Sequence, residues 1–208
     1  MSRAAANREA RFQASLDNPL LVFKVGVLGC APLHLMEEIA ETYDADYFSS
    51  DETRLEIMEE GEDDSPSVDT REIRERIVSG ASAALADDRD VVIDMFFNSA
   101  NSRRVPIDLA QEMGATSIAL RTNAPYGLAC ERVEKWTEED GFLIPVKQWE
   151  VPPIVAAKRM MDSVEYPSEL EGIDYVFGVN GARDTEAILN QYETHLERAG
   201  LMGRYVDA

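Results

Sequence analysis

Apolar runs alternate along this chain with segments whose apolar positions recur at helical spacing. The clearest run, Leu20–Val27, is almost continuously apolar, which is expected for a strand buried on both faces. A typical helical segment follows Asp69 and places Ile73, Ile77 and Val78 on one face as far as about Ala86. Alternation of strands and helices predicts an α/β protein with a parallel sheet.

The pattern predicts five strands and seven helices. The strands are expected at Leu20–Val27, Asp46–Ser49, Val91–Phe97, Ser117–Arg121 and Asp174–Val179. The helices are expected at Pro32–Tyr43, Asp51–Glu60, Asp69–Ala86, Ser102–Met113, Ala124–Trp136, Ile154–Val164 and Asp184–Ala199. Pro32 suits the first turn of its helix, where the backbone N–H is unpaired in any case.

The length of the chain favours one domain, because 208 residues suffice for one full core. We expect a polar N-terminal extension at 1–18, a single domain at 19–200 and a short tail at 201–208. An acidic stretch at 59–70 is predicted to be an exposed loop. The segment 137–153, which contains several prolines and mixed charge, is predicted to be irregular and to form either a mobile cover or a packed loop. A lid is expected at about 132–153.

Charge narrows the choice of partner. Forty acidic and 20 basic residues give a net charge of −20, which would repel nucleic acid over most of the surface. A salt-adapted cytoplasm or a G+C-rich genome would explain this excess equally well. No apolar stretch suits a membrane span or a signal peptide, so we expect a cytoplasmic protein.

The cysteines and histidines do not predict a zinc site or a disulfide framework. There are two of each, and we expect Cys30 and Cys130 to be small buried residues. No metal-ligating residue is predicted.

The first strand leads into a loop that partly matches a phosphate-binding pattern. The chain reads GVLGCAPLHL from Gly26 to Leu35, whereas a nucleotide P-loop reads G-x-x-x-x-G-K-[ST]. Gly26 falls on the first glycine. Ala31, Pro32 and Leu33 replace the second glycine, the lysine and the hydroxyl residue. The candidate nucleotide-binding loop therefore comprises Gly26, Gly29, Cys30, Ala31, Pro32, Leu33 and His34.

These replacements remove the groups that hold phosphate and magnesium. Ala31 places a side chain where the backbone often needs glycine, and Pro32 offers neither an ammonium group nor an N–H. Leu33 has no oxygen for Mg²⁺, and His34 is a poor ligand for it. Losing two charge-assisted contacts removes about 3–6 kcal/mol, or about a hundredfold or more in affinity. Lys24, inside the apolar strand, is the candidate replacement; alternatively it extends to the sheet edge.

Four segments, in this order and spacing, resemble the P-loop kinase-like ATPases, often loosely labelled AAA-family ATP-binding proteins. This group includes polynucleotide 5′-kinases, zeta-toxin-type kinases and small-metabolite kinases. Its members commonly read SSD-x-x-R, VVVD and P-x-x-x-x-EGFD-x-V after the loop. Here the segments are the loop through Gly26 and Gly29, SSDETR from Ser49 to Arg54, VVID from Val91 to Asp94, and 151–174, which contains KRM, YP and EGID. The resemblance spans about 19–181 and implies a single-domain kinase-like fold, with helices on both faces of a five-stranded parallel sheet and a lid.

The resemblance also implies roles for individual residues. An Asp at the position of Asp51 accepts the proton of the attacking hydroxyl, and an Arg at the position of Arg54 steadies the substrate. The acidic residue at the position of Asp94 organises magnesium and water. Arg132 is the best match for a lid arginine that neutralises charge during phosphoryl transfer.

Structural roles are the alternatives for these residues. Asp51 would simply cap the following helix, and Arg54 would be an ordinary surface residue. Arg132 would pair with a neighbouring glutamate on its own helix. Arg103 and Arg104 form a basic pair near the expected substrate face, which makes Arg103 a candidate substrate residue; a solvated helix start explains them equally well.

Two functions remain open. In the first, the chain is a kinase-fold protein with a degenerate nucleotide site, which binds ATP weakly or not at all and acts through a small ligand or a protein partner. In the second, it is an ATP- and Mg²⁺-dependent kinase that manages without the usual lysine. Its acceptor would then be a hydroxyl of a small metabolite rather than the 5′ end of a nucleic acid.

Overall fold

Five apolar segments form the strands of the computed structural model, which describes residues 18–60, 68–139 and 151–205. The strands are β1 (Leu20–Val25), β2 (Asp46–Ser49), β3 (Val91–Asp94), β4 (Thr116–Asn123) and β5 (Tyr175–Asn180). They pair in the order β2-β3-β1-β4-β5, and every pairing is parallel. All carboxyl ends therefore meet at one edge of the sheet, with the end of β1 at its centre.

Helices connect the strands, as a parallel arrangement requires. They are α1 (Leu35–Thr42), α2 (Ser50–Glu60), α3 (Thr70–Ala86), α4 (Ala100–Met113), α5 (Tyr126–Glu138), α6 (Pro153–Ser163) and α7 (Thr185–Ala199). In the part of the chain that the structure describes, short 3₁₀ helices lie at Glu169–Glu171 and Met202–Arg204.

The helices cover both faces of the sheet. On one face, Phe23 and Val25 of β1 pack in a core cluster with buried residues of α3 and α4. On the other face, Val22 packs in a second cluster with residues of α1 and α7. Because β1 buries side chains on both faces, its apolar run is explained, and the predicted α/β fold with a five-stranded parallel sheet is confirmed.

Several predicted bounds near the sheet edge were wrong. Strand β1 ends at Val25 rather than at Val27, and β4 continues to Asn123 rather than ending at Arg121. The first helix begins at Leu35 rather than at Pro32, because the chain first closes tight turns, with Cys30 N–H bonded to Val27 O and Leu35 N–H to Pro32 O. Strand β3 ends at Asp94 rather than at Phe97. Its neighbour β2 pairs only as far as Asp94, and the chain then turns so that Phe97 N–H bonds to Lys24 O.

Some expectations concern residues outside the described ranges. The proposed extension, acidic loop, lid and tail include residues 1–17, 61–67, 140–150 and 206–208, which the structure does not describe. The domain bounds remain predictions. Both cysteines are free thiols; Cys30 is buried as expected, whereas Cys130 is only half-buried. Among the described helices, none combines the length and apolar character needed to cross a membrane.

Candidate ligand site at the carboxyl edge of the sheet

Two glycines shape the loop that follows β1. Gly26 lies so close to β4 that a Cβ atom on it would be 2.1 Å from Thr122 Oγ1. Gly29 has a φ of +85°, and a Cβ there would lie 2.2 Å from the carbonyl oxygen of Ala129 on α5. Gly26 is required because its backbone lies against Thr122. Gly29 is required because its backbone lies against Ala129 and because it has a left-handed conformation. Ala31 has no such strain, since Asp44 and Asp88 are the non-glycine residues with positive φ among those described.

The side chains of this loop pack into apolar clusters beneath α5 and α6. Leu28 is buried with Val133 of α5 and Ala157 of α6, and Leu33 packs against the same cluster. Val27 and Cys30 form a second cluster with Ala129 of α5. Phe96, Trp136, Ile154, Met160, Met161 and Val164 complete the two clusters from their edges. The loop is therefore joined to the helices above it by hydrophobic contact.

Arg132 on α5 connects the loop to the segment after β5. Its Nη1 donates to Gly29 O at 3.3 Å and to Gly181 O at 2.5 Å, and its Nη2 lies 3.5 Å from Arg183 O. A Cβ on Gly181 would lie 1.6 Å from Cys30 O, so the two backbone segments are in direct contact. The alternative in which Arg132 pairs with a neighbouring glutamate was wrong, because its guanidinium donates to these backbone carbonyls instead.

Both carboxylate oxygens of Asp94, at the end of β3, contact side chains of neighbouring strands. Oδ1 forms an ion pair with Lys24 Nζ, and Oδ2 accepts a hydrogen bond from Tyr47 OH at 3.0 Å. The lysine also lies over the ring of Phe96, with Nζ 4.4 Å from its centroid. Lys24 is directed toward Asp94 because β1 and β3 are paired neighbours and Asp94 is the last residue of β3.

Asp51 and Arg54 lie on the first turns of α2, beside this ion pair. Burial, and next the charge of Asp94, raise the pKa of Asp51, whereas Lys24 and Arg54 act in the opposite direction. Asp51 does not cap its helix. Ser49 does so, since its Oγ accepts from the N–H groups of Asp51 and Glu52 at 3.2 and 3.4 Å. The Asp51 carboxylate is therefore not engaged as the cap of α2.

Arg103 has a fully buried side chain and faces the protein interior. It forms a two-point ion pair with Glu171, at 2.7 and 3.0 Å, and its Nη1 donates to Phe97 O and Glu165 O at 3.1 and 2.8 Å. Only 1% of this side chain is exposed, whereas Arg104 is exposed. These contacts favour a structural role for Arg103 over substrate binding.

Sequence reasoning missed three residues that shape the site. Tyr47 holds Asp94, and Glu171 holds Arg103. Asn98 Oδ1 accepts from Gly26 N–H at 3.0 Å, which ties the start of the loop to the segment after β3. No motif marks Tyr47 or Asn98, whereas the EGID stretch did single out Glu171 without indicating its partner.

A separate pocket of about 530 Å³ lies beside the carboxyl ends of β4 and β5. Its lining residues are Arg121, Asn123, Ala124, Pro125, Gly178, Val179, Asn180 and Gln191. None of the site residues predicted from the sequence lines it. Within the three described ranges, no three His, Cys, Asp or Glu side chains converge in a way that would hold a metal ion.

This chain is similar to known proteins in its three-dimensional structure. No family model matches the chain, and no curated protein matches its sequence. A protein from Chloroflexus aurantiacus assigned as a kinase matches with a TM-score of 0.64 and 14% identity, covering 88% of this chain and 99% of the other. The chain has a P-loop kinase-like fold.

Other kinases with this fold include a gluconokinase from Sinorhizobium meliloti, with a TM-score of 0.55 and 16% identity over 93% of this chain and 99% of that one. The Mycobacterium tuberculosis APS kinase CysC, in complex with AMPPNP and APS, matches with a TM-score of 0.53 and 12% identity over 85% and 98%. The predicted kinase-like fold is thus confirmed, and at these identities the likeness concerns the fold.

Proposed function

We propose that this protein is a kinase-fold binding protein with a degenerate nucleotide loop, which binds a small hydroxylated metabolite and does not phosphorylate it with Mg²⁺–ATP. The packing of the loop is the observation that carries this proposal. Leu28 and Leu33 contribute to an apolar cluster with Val133 and Ala157 of the two helices above. A working loop instead turns backbone N–H groups and a lysine toward phosphate.

The residues present do not fit Mg²⁺–ATP held in the usual way. The loop has no cationic side chain at the position of Pro32 and no oxygen on the side chain of Leu33. The N–H of Cys30 is bonded within the loop to Val27 O at 2.9 Å. Arg132, the expected lid arginine, donates to backbone carbonyls of the loop and of Gly181.

The acceptor side of the site retains polar groups. Asp51 and Arg54 lie on adjacent turns at the start of α2, beside Asp94 and Lys24, and their charges act on one another. A carboxylate that accepts and a guanidinium that donates hydrogen bonds together suit a ligand rich in hydroxyl groups. The structural neighbours include a gluconokinase and a shikimate kinase in complex with shikimate, which supports a polyhydroxylated acid as the ligand class.

Calorimetry on the full chain tests this function. We expect no binding of Mg²⁺–ATP at micromolar concentrations, at low or high salt, and measurable binding of gluconate or shikimate that Arg54→Ala weakens at least about tenfold. Arg71→Ala, on the exposed surface of α3, is the matched control and should bind like the wild type. Micromolar binding of Mg²⁺–ATP would overturn the proposal, as would failure of both acids to bind.

One observation favours the alternative, an ATP-dependent small-metabolite kinase. The pKa of Asp51 is raised by burial and by Asp94, which is the direction expected for a group that accepts a proton from a hydroxyl. If this alternative holds, the wild type transfers phosphate from Mg²⁺–ATP to gluconate or shikimate, and Asp51→Asn abolishes turnover while leaving the affinities unchanged. Absence of turnover in the wild type would exclude these acceptors for the alternative.

A further inference from the structure

The carboxylate that would organise magnesium in an active relative already holds a cation supplied by the chain. Lys24 Nζ forms an ion pair with Asp94 Oδ1, and Tyr47 OH donates to Oδ2 at 3.0 Å. Only 14% of the lysine side chain and 13% of the aspartate side chain are exposed. Both oxygens of Asp94 are thus engaged in a partly desolvated setting, where an ion pair is screened little by solvent.

The position of the ammonium group is determined by the sheet. Strand register pairs Phe23 with Ile93, so the next residues, Lys24 and Asp94, lie side by side on neighbouring strands. The ring of Phe96 lies under Nζ at 4.4 Å, which adds a cation–π contact. The lysine is therefore held against Asp94 by its strand, its aromatic neighbour and its charge.

We infer that the Lys24 ammonium takes the place of a divalent cation, so that ligands bind at this site without a metal ion. This inference rests on the proposed function, since it concerns the same site. Asp94 and Asp51 lie close enough to raise the pKa of Asp51, so their mutual repulsion calls for a positive charge. Lys24 supplies one unit of charge with no need of coordinating oxygens.

A magnesium ion would meet two obstacles at this position. It demands near-octahedral oxygen coordination, and Leu33, at the loop position that usually contributes a hydroxyl, offers none. It would also have to displace an ammonium group tethered by the β1 strand. The pairing of Lys24 with Asp94 thus explains why a lysine lies inside an otherwise apolar strand.

Binding of Mn²⁺, followed by electron paramagnetic resonance on the full chain, tests the inference without any measurement of activity. In Lys24→Met the carboxylates lose their tethered cation, and we expect one added Mn²⁺ site at least about tenfold tighter than any site of the wild type. The double variant Lys24→Met/Asp94→Asn should lose that site. Lys158→Met makes the same change of charge at an exposed position and should leave Mn²⁺ binding as in the wild type.

The wild type provides a second readout, which does not depend on the folding of Lys24→Met. Under limiting acetic anhydride, mass spectrometry should show Lys24 acetylated at least about tenfold more slowly than the exposed Lys135 and Lys158, with no change on adding millimolar Mg²⁺. An increase in the acetylation rate of Lys24 on adding Mg²⁺ would overturn the inference. So would a Mn²⁺ site in the wild type that Asp94→Asn removes. So would the absence of an added Mn²⁺ site in a folded Lys24→Met variant. Failure of gluconate or shikimate to bind would instead contradict the proposed function and leave these metal results unchanged.

Discussion

Arg132 and Gly29 are joined by a hydrogen bond between α5 and the loop after β1, with Nη1 3.3 Å from the glycine carbonyl oxygen. The same nitrogen reaches Gly181 O, so one guanidinium holds together three parts of the chain that are distant in sequence. Hydrogen bonds that involve a charged donor contribute about 1.5–3 kcal/mol each, which makes this residue a clamp on the loop.

Substitution of Arg132 should loosen the loop locally. In Arg132→Met the carbonyls of Gly29 and Gly181 lose their donor, and we expect amide exchange in 27–34 and 181–184 to accelerate about tenfold or more, which corresponds to about 1.4 kcal/mol. Hydrogen exchange followed by mass spectrometry measures this. Arg159→Met, at an exposed position of α6, is the control; equal exchange in both variants would contradict a clamping role.

Leu28 should contribute substantially to stability if the loop is packed against α5 and α6. The side chain is only 6% exposed, so Leu28→Ala leaves a cavity and should lower the free energy of unfolding by about 2 kcal/mol or more. Urea denaturation followed by circular dichroism gives this value. Leu170, which is 98% exposed, supplies the matched control, and Leu170→Ala should change stability by less than about 0.5 kcal/mol. A similarly small effect in Leu28→Ala would mean that the loop is not held by these contacts.

The two neighbouring arginines at the start of α4 should behave very differently. Arg103→Met leaves the Glu171 carboxylate and the carbonyls of Phe97 and Glu165 without their donor, and we expect it to lower the free energy of unfolding by about 2 kcal/mol or more. Arg104→Met removes an exposed side chain and should cost less than about 0.5 kcal/mol. Thermal and urea unfolding of both variants make the comparison. If Arg103→Met kept the stability of the wild type, the substrate role predicted from the sequence would regain support.

The pH dependence of stability should reveal the buried charge of Asp51. Since the folded-state pKa of Asp51 is raised by burial and by Asp94, the folded protein favours the protonated form. Its contribution to stability is fully present below the ordinary pKa of an aspartate and is lost as pH rises through the raised value. Asp51→Asn, which stays neutral, should therefore be more stable than the wild type at pH 7.

The advantage of Asp51→Asn should shrink as the pH is lowered through the raised pKa. Urea midpoints of the two proteins between pH 4 and 8 measure the difference. Asp108→Asn, an exposed position on α4, controls for the change of side chain. A difference between Asp51→Asn and the wild type that stayed constant over this range would show that Asp51 bears no desolvated charge.

Several contacts of the site residues could not be predicted from the sequence. Lys24 stands out as a lysine in an apolar strand, but its pairing with Asp94 depends on the adjacency of β1 and β3. Arg103 and Arg104 are neighbours of the same residue type, so the sequence does not separate their roles. The orientation of α4 about its own axis turns the side chain of Arg103 into the interior and leaves that of Arg104 exposed. Ser49 and Asp51 are both suitable helix caps, and the exact start of α2 selects Ser49. In these cases the sequence does not indicate which strand lies beside the residue, which side of a helix faces the interior, or at which residue a helix begins.

The alternation of apolar runs and helical patterns was enough to specify the α/β fold, because strands buried on both faces and helices buried on one have distinct hydrophobic periods. Loop composition likewise established that Ala31, Pro32 and Leu33 carry no cation or hydroxyl. Contacts between distant segments were decided only in three dimensions. The burial of Leu28 under α5 and α6 and the occupation of Asp94 by Lys24 arise from the packing of elements far apart in the chain, and local sequence does not encode such distances.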